Sequence, residues 1–313
     1  MKWFDKRYHT LDYELKQTFG EKVIKLSLDG GFTCPNRDGS IGTRGCIFCG
    51  EKGSGDFAGT RDVSIAEQIE QQKKLLSSKW PDGKYIAYFQ SYTNTYAPID
   101  RLRNRYEAAL DCKDVVGLAI ATRPDCLPDD VLTLLEEFAG KTYMWLELGL
   151  QTVHPGSAAF IRRGYDLSCF TEAVLKLKER NIRVVVHMIV GLPGESRKDI
   201  LETVSFVAKL GVWGVKFHML YIQKDTDLYE YYCSNPFKVL TLEEYVNIIV
   251  DALEILPPET VVHRVTGDGV KKLLEAPLWT LDKLRVLSEI DRVLRERNSY
   301  QGCGQKLYIP EKA

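Results

Sequence analysis

Six apolar segments of strand length, at residues 23–28, 84–90, 115–122, 143–151, 183–190 and 215–222, alternate with amphipathic stretches of helical period. This rhythm limits the folds open to the chain more than any other feature. Near-continuous apolar strands separated by amphipathic helices predict a parallel sheet covered on both faces. Such units connect in a right-handed sense and curl into a barrel or part of one. The expected class is α/β, a partial (β/α)6-type barrel with a C-terminal helical extension. Helix punctuation agrees: Ser64 with Glu67 and Thr241 with Glu244 spell capping boxes, Pro98 and Pro128 open helices, and Ser168 is expected to cap another. Residues 1–20 are expected to cap one end and 21–235 to form the barrel; after the rhythm breaks, 236–313 are expected to close the barrel or face substrate.

In barrels of this kind the chemistry lies at the carboxyl ends of the strands. The first end here runs into a cysteine-bearing loop, and the other five read Q-S-Y-T-N-T-Y, A-T-R-P-D, E-L-G-L-Q-T, G-L-P-G-E and Q-K-D-T-D. All are polar or rich in glycine.

The chain of 313 residues suits one large α/β domain, and its net charge of −1 supplies no global basic field for nucleic acid. Local basic groups (Arg101, Arg103 and Arg105; Arg162 and Arg163; Lys271 and Lys272; Arg292, Arg295 and Arg297) read as solvated helix faces and leave tRNA open as a partner. No apolar run reaches the ~18–20 residues of a membrane span, and the charged amino terminus does not read as a secretory signal. The expected location is the cytoplasm, with no membrane partner, where thiols stay reduced.

Three of the eight cysteines, Cys34, Cys46 and Cys49, stand in C-x11-C-x2-C spacing within a glycine-rich loop. Soft thiolates select iron–sulfur clusters, zinc or Cu(I). A structural zinc site is closed and takes four protein ligands, and no fourth Cys or His lies nearby at ribbon or finger spacing. A cubane cluster on three thiolates leaves one iron open to a ligand that is not protein. Cys112, Cys126, Cys169 and Cys233 have no ligand spacing and read as core thiols.

The loop resembles that of the radical S-adenosylmethionine (SAM) enzymes, and the aromatic Phe48 before the last cysteine fits them too. Eleven residues between the first two cysteines make it similar to the subfamily that includes the radical SAM domain of the Elongator catalytic subunit. E-L-G-L-Q and I-R-R-G-Y also resemble segments of oxygen-independent coproporphyrinogen oxidase. The resemblance implies a [4Fe-4S] cluster on Cys34, Cys46 and Cys49, SAM chelated to the fourth iron, and reductive cleavage to a 5′-deoxyadenosyl radical. It also implies a flavodoxin- or ferredoxin-type electron donor. Gln151 and Arg163 match residues that hold SAM, and Gly191 in G-L-P-G-E matches a backbone that approaches the adenine. Glu147 is expected to bind SAM's ribose or amine, or to satisfy a neighbouring cation. Two departures stand out: F-Q-S-Y carries Gln90 where a G-G-E motif is usual, and Ala121 stands where relatives have glutamate.

His187 and His218, on adjacent strands, are candidates for substrate binding or proton transfer. Cys303, between glycines in the tail, is a candidate hydrogen-atom donor. Three readings of function remain open: modification of a tRNA wobble uridine side chain, a radical reaction on a small molecule or tetrapyrrole, and a zinc-stabilised RNA-binding module without catalysis.

Overall fold

A computed structural model describes residues 2–53, 55, 57–267 and 269–304. Part of the expected extension, 305–313, lies outside the described residues. Six long strands form where the apolar segments predict them: β1 (Val23–Leu28), β2 (Lys84–Phe89), β3 (Val115–Thr122), β4 (Tyr143–Gln151), β5 (Arg183–Val190) and β6 (Gly214–Met219). The expected sixth strand is shorter at its end. Leu220 N donates to Val190 O, and the chain then starts a separate two-residue strand, β7 (Ile222–Gln223), antiparallel to β9 (Leu274–Ala276). Between them in sequence, β8 (Val261–Arg264) pairs in parallel with β6, so the hydrogen-bonded order is β1-β2-β3-β4-β5-β6-β8 and the sheet has seven strands. The region after 236 therefore supplies a strand to the sheet as well as helices.

The helices are α1 (Leu11–Phe19), α2 (Ile65–Leu76), α3 (Ile99–Leu110), α4 (Asp129–Lys141), α5 (Pro155–Phe160), α6 (Leu167–Glu179), α7 (Arg197–Leu210), α8 (Asp227–Ser234), α9 (Leu242–Ile255) and α10 (Lys283–Glu296). The capping boxes at Ser64 and Thr241 form as expected. Asp166, not Ser168, caps α6: its carboxylate accepts from Cys169 N at 2.8 Å, and Ser168 Oγ donates to the same oxygen. A carboxylate one residue ahead of the helix outcompetes a hydroxyl already inside it.

The chain divides into two compact units. The first comprises Leu15–Gly149 and Gly164–Val185. Here the strand register puts Leu28, Phe89, Ile120 and Leu146 side by side on one face, and Phe89 packs edge-on against Tyr106 of α3, so this face meets the helices. The opposite face aligns Ser27, Tyr88, Ala119 and Trp145, and one step on, Ala121 with Glu147. The second unit comprises Met1–Glu14, Leu150–Arg163 and Val186–Ala313. In it α9 packs on α7 and α10, and the first residues run beside β8, with Val262 N donating to His9 O at 2.7 Å.

Candidate active site

The cysteine loop belongs to the first unit. Cys34 O accepts from the amides of Arg37 (2.8 Å) and Asp38 (3.1 Å), which closes a turn just past the first cysteine. The long spacer folds back on that turn. Ile41 N and Gly42 N donate to Pro35 O at 2.9 and 3.2 Å, and Gly45 N donates to Asn36 O at 2.7 Å. Gly45 has φ +75°, and a Cβ there would lie 2.9 Å from Arg37 Nε, so glycine is required where the lobe closes. Cys49 N donates to Cys46 O at 3.0 Å, placing the last two cysteines on one turn.

Side chains that sequence reasoning passed over hold this loop. Asn36 is buried and its Nδ2 donates to Cys46 Sγ at 3.6 Å. Arg37 Nη2 donates to Cys49 O (3.0 Å) and Gly50 O (2.6 Å). Arg123 is buried, forms a two-point pair with Asp125 at 2.9 and 2.6 Å, and lies 4.9 Å from the Tyr165 ring centroid. The signal for all three was present in C-P-N-R and A-T-R-P-D, but neither segment says which side chain turns back on its own loop. Hydrogen bonding to Cys49, then burial, push the Cys46 thiol well up, and Arg123 pulls it down. Metal ligation takes thiolates, so loading this site releases protons.

Glu147 is fully inside, on the sheet face away from the helices. It accepts from Tyr88 Oη at 2.8 Å and Trp145 Nε1 at 3.0 Å, and Lys25 Nζ stands 4.0 Å away. The neighbouring cation expected for it is Lys25. Its register partner on β3 is Ala121, so the carboxylate that β3 lacks stands one strand over. Gln90 and Phe48 are both half-buried, and Gln90 N donates to Leu28 O at 3.2 Å. The loop after Gln90 is buried and rigidly bonded: Thr95 Oγ1 meets Thr122 Oγ1 and Cys126 O, each at 2.6 Å, and Asn94 Nδ2 donates to Phe89 O and Ala121 O.

In the second unit, Gln151 ends β4 in the left-handed region at φ +63°, and its Oε1 is buried with no hydrogen-bond partner among the described residues. Arg163 is buried, and its Nη1 grips both carbonyls that flank Gln151, Leu150 O at 3.0 Å and Thr152 O at 2.7 Å. Gly191 follows β5 with φ +99°, and a Cβ would lie 3.1 Å from Leu240 Cδ1. Glu195 of the same G-L-P-G-E turn accepts from Thr152 Oγ1 at 2.6 Å, and burial pushes its carboxyl up. His187 and His218 do meet: their rings are 4.9 Å apart, tilted by 41°.

Two expectations are corrected. Cys303 does not join these residues: its Sγ lies 3.3 Å from Ser299 Oγ, Gly302 N donates to Leu253 O, and Gln301 Nε2 donates to Pro257 O and Thr260 O. It sits where α9 ends and β8 begins, at the amino end of that strand, whereas Gly191 and His218 lie toward the carboxyl ends of β5 and β6. The tail is pinned there by the buried Gln301. Cys233 is exposed rather than a core thiol, because it falls on the solvent side of the last turn of α8.

The family model for the radical SAM superfamily matches residues 38–207, and that for the Radical_SAM C-terminal domain matches 212–296. The chain belongs to the radical SAM superfamily. A Bacillus subtilis (strain 168) protein, YtqA, is 50% identical over 298 residues, 95% of this chain and 92% of its own. The tRNA uridine(34) acetyltransferase of Methanocaldococcus jannaschii is 29% identical over 173 residues, 50% of this chain and 30% of that one. Among solved structures, Elp3 of Methanocaldococcus infernus matches with a TM-score of 0.65 at 17% identity, over 90% of this chain, which spans 65% of that structure. This likeness shows the fold, an α/β fold of the radical SAM type.

As a radical SAM enzyme the protein uses a [4Fe-4S] cluster and SAM. The residues present fit both. Three thiolate donors suit an iron–sulfur cluster with one open iron. Among the described residues, the side chains gathered at single-ion spacing are His154, Asp199 and Glu202. The orphaned Oε1 of Gln151 is an acceptor awaiting a ligand donor.

Proposed function

We propose that this radical SAM enzyme acts on tRNA in the cytoplasm, at the side chain of a wobble uridine. The observation that carries the reading is the likeness, over half of the chain, to an enzyme named for uridine 34. The C-x11-C-x2-C spacing and the fold shared with an archaeal Elp3 support it. Acetyl transfer is not carried over, because the chain spans only 30% of that relative.

When bound, the cluster would supply the electron for reductive cleavage of SAM, the chemistry that starts hydrogen abstraction from a substrate. Cys34, Cys46 and Cys49 hold the cluster as thiolates. Asn36 donates to the Cys46 sulfur, and Arg37 fixes the Cys49 carbonyl. Gln151 offers its buried amide oxygen to SAM, and Arg163 acts by keeping the Gln151 corner in its left-handed turn. Gly191 lets a flat ring approach the backbone. Gln90 and Phe48, in the unit of the cysteine loop, are further candidates for contact with SAM. His187 and His218 bind the substrate or move a proton. Glu147 fixes the sheet face through Tyr88, Trp145 and Lys25.

The test is nucleoside analysis of tRNA from the host with the gene deleted, compared with the parent. A wobble uridine precursor should accumulate, and the purified enzyme with SAM and a reductant should convert it in isolated tRNA while Cys46→Ala does not. An unchanged wobble nucleoside, with 5′-deoxyadenosine still formed, would remove tRNA as the substrate and leave the reaction class standing.

A further inference from the structure

His154, Asp199 and Glu202 converge on one point of the second unit. His154 stands between the end of β4 and the start of α5, and the two acids lie in the first two turns of α7. Backbone and hydroxyl contacts hold these elements together. Thr152 Oγ1 accepts from His154 N at 3.1 Å and donates to Glu195 Oε1 at 2.6 Å, and Thr203 Oγ1 of α7 accepts from Val153 N at 3.2 Å. The His154 ring is thereby laid against α7: its Nε2 is 2.9 Å from Asp199 O and 3.9 Å from both Asp199 Oδ1 and Glu202 Oε2. The ligand atoms of the three side chains all lie within 4.8 Å of one another.

Each carboxylate keeps one oxygen for a ligand. Asp199 Oδ2 is taken by the cap of α7, accepting from Ser196 N at 2.7 Å and Ser196 Oγ at 2.6 Å, and Oδ1 is left toward the imidazole. Glu202 Oε1 lies 3.7 Å from Lys198 Nζ, and Oε2 turns to the ring. Donors about 2.1 Å from one ion stand ~3 Å apart as neighbours and ~4.2 Å apart across it. Separations of 2.9 and 3.9 Å fall in that window. Two effects oppose a cation here: the positive amino end of α7, and Lys198. Lys198 is 81% exposed and free to swing into water, and two carboxylates at contact range outweigh both effects. The three side chains are 27–40% exposed, so an aqueous ion can enter and keep some of its water.

We infer that His154, Asp199 and Glu202 form a binding site for a divalent transition-metal ion, separate from the cysteine loop. One imidazole nitrogen and carboxylate oxygens, with no sulfur among them, suit the series from Mn²⁺ to Zn²⁺ rather than the soft ions that thiolates take, and Mg²⁺ and Ca²⁺ call for oxygen alone. The ring binds as neutral imidazole with its proton on Nδ1, giving up its contact with Asp199 O, and that carbonyl oxygen then faces the ion. An ion held there staples the turn after Gln151 to the helix after the G-L-P-G-E turn, and so stiffens the second unit beside both. Without a metal the same contacts make a surface ion pair of small worth. The two cases differ in whether stability responds to the ion.

The experiment titrates Mn²⁺ into enzyme already reconstituted with iron and sulfide, so that the thiolates are occupied, and dialysed into metal-free buffer. Free Mn²⁺ is counted by its electron paramagnetic resonance signal, which broadens away on binding, and melting temperatures are read by calorimetry with and without Mn²⁺. Native enzyme should bind one Mn²⁺ per chain, and Zn²⁺ should displace it, as the affinity order of nitrogen and oxygen sites requires. His154→Ala and Glu202→Gln should each weaken binding at least about tenfold and lose the rise in melting temperature that Mn²⁺ gives the native enzyme. Glu202→Gln keeps the helix and removes only a ligand charge, so it reports on the site even where His154→Ala disturbs the turn. Lys198→Ala removes the opposing charge and should bind Mn²⁺ at least as tightly as native. Absence of bound Mn²⁺ at millimolar concentration overturns the proposal, as does equal binding by native enzyme and both ligand variants, which marks an adventitious ion. A melting temperature lowered by His154→Ala to the same extent with and without Mn²⁺ also overturns it, and leaves His154 as a hydrogen-bond partner of α7. Because no readout involves SAM or tRNA, failure here is separable from failure of the tRNA reading.

Discussion

Asn36 shows how much one side chain can decide at this site. Its amide donates to the Cys46 sulfur from a buried position, and hydrogen bonds to ligand sulfurs stabilise the more negative, reduced cluster. Asn36→Ala should lower the cluster reduction potential by about 40 mV, the one-electron equivalent of a hydrogen bond worth ~1 kcal/mol, as read by redox titration. Glu147 is a second such residue. Glu147→Leu removes the carboxylate that accepts from Tyr88 Oη and Trp145 Nε1 and stands beside Lys25, and should cost about 3 kcal/mol in urea unfolding. Glu147→Gln keeps an acceptor and should cost clearly less. At Gly191, with φ +99° and Leu240 at 3.1 Å, alanine is strained by both backbone and contact. Gly191→Ala should destabilise by ~1–3 kcal/mol and weaken SAM binding in equilibrium dialysis. The Gly191 turn was legible in G-L-P-G-E, whereas the part played by Asn36 was not, because a local tetrapeptide does not state which way its side chains turn.

At the scale of elements, the helix starts carry a pH signature. Hydrogen bonds from the Ser64 side chain and then its backbone N–H hold the Glu67 carboxyl below its ordinary value of 4.5. A carboxyl lowered by folding stabilises the folded state above the unfolded value, and that stability is lost as pH falls through the folded value. Unfolding free energy should therefore drop on acidification below about pH 4.5, and Glu67→Gln should flatten the slope in that window without altering it at pH 7–8. Most strand and helix positions were readable from sequence because apolar period and caps are local signals. The seventh strand was readable as a short strand over 260–265, but not as a member of the sheet. V-V-H-R is four residues long, and only its pairing with β6, together with the His9 carbonyl on its amide at 2.7 Å, makes it part of the sheet. The end of β6 was overrun for a similar reason: L-Y-I-Q stays apolar after the ladder has ended.

At the scale of the whole molecule, loading couples to proton release and stability. Anaerobic reconstitution should bind about four irons per chain, release protons into a weakly buffered solution, and raise the melting temperature, since the ligands are gathered only in the folded state. Cys34→Ala or Cys46→Ala should abolish all three effects, which iron analysis, pH-stat titration and calorimetry would check. The sequence by itself determined the strand–helix order, the three-thiol donor set and the glycine turns, because hydrophobic period, ligand softness and left-handed backbone are properties of residues and their near neighbours. Only the tertiary structure decided that Cys303 sits at the amino end of β8 and that His187 lies 4.9 Å from His218. It also decided that Arg163 serves the Gln151 corner and that Arg61 and Arg101 donate to the carbonyls of Phe32 and Gly31. These are meetings between residues 11 to 70 positions apart. Their geometry follows from register and packing, which no local stretch of chain encodes.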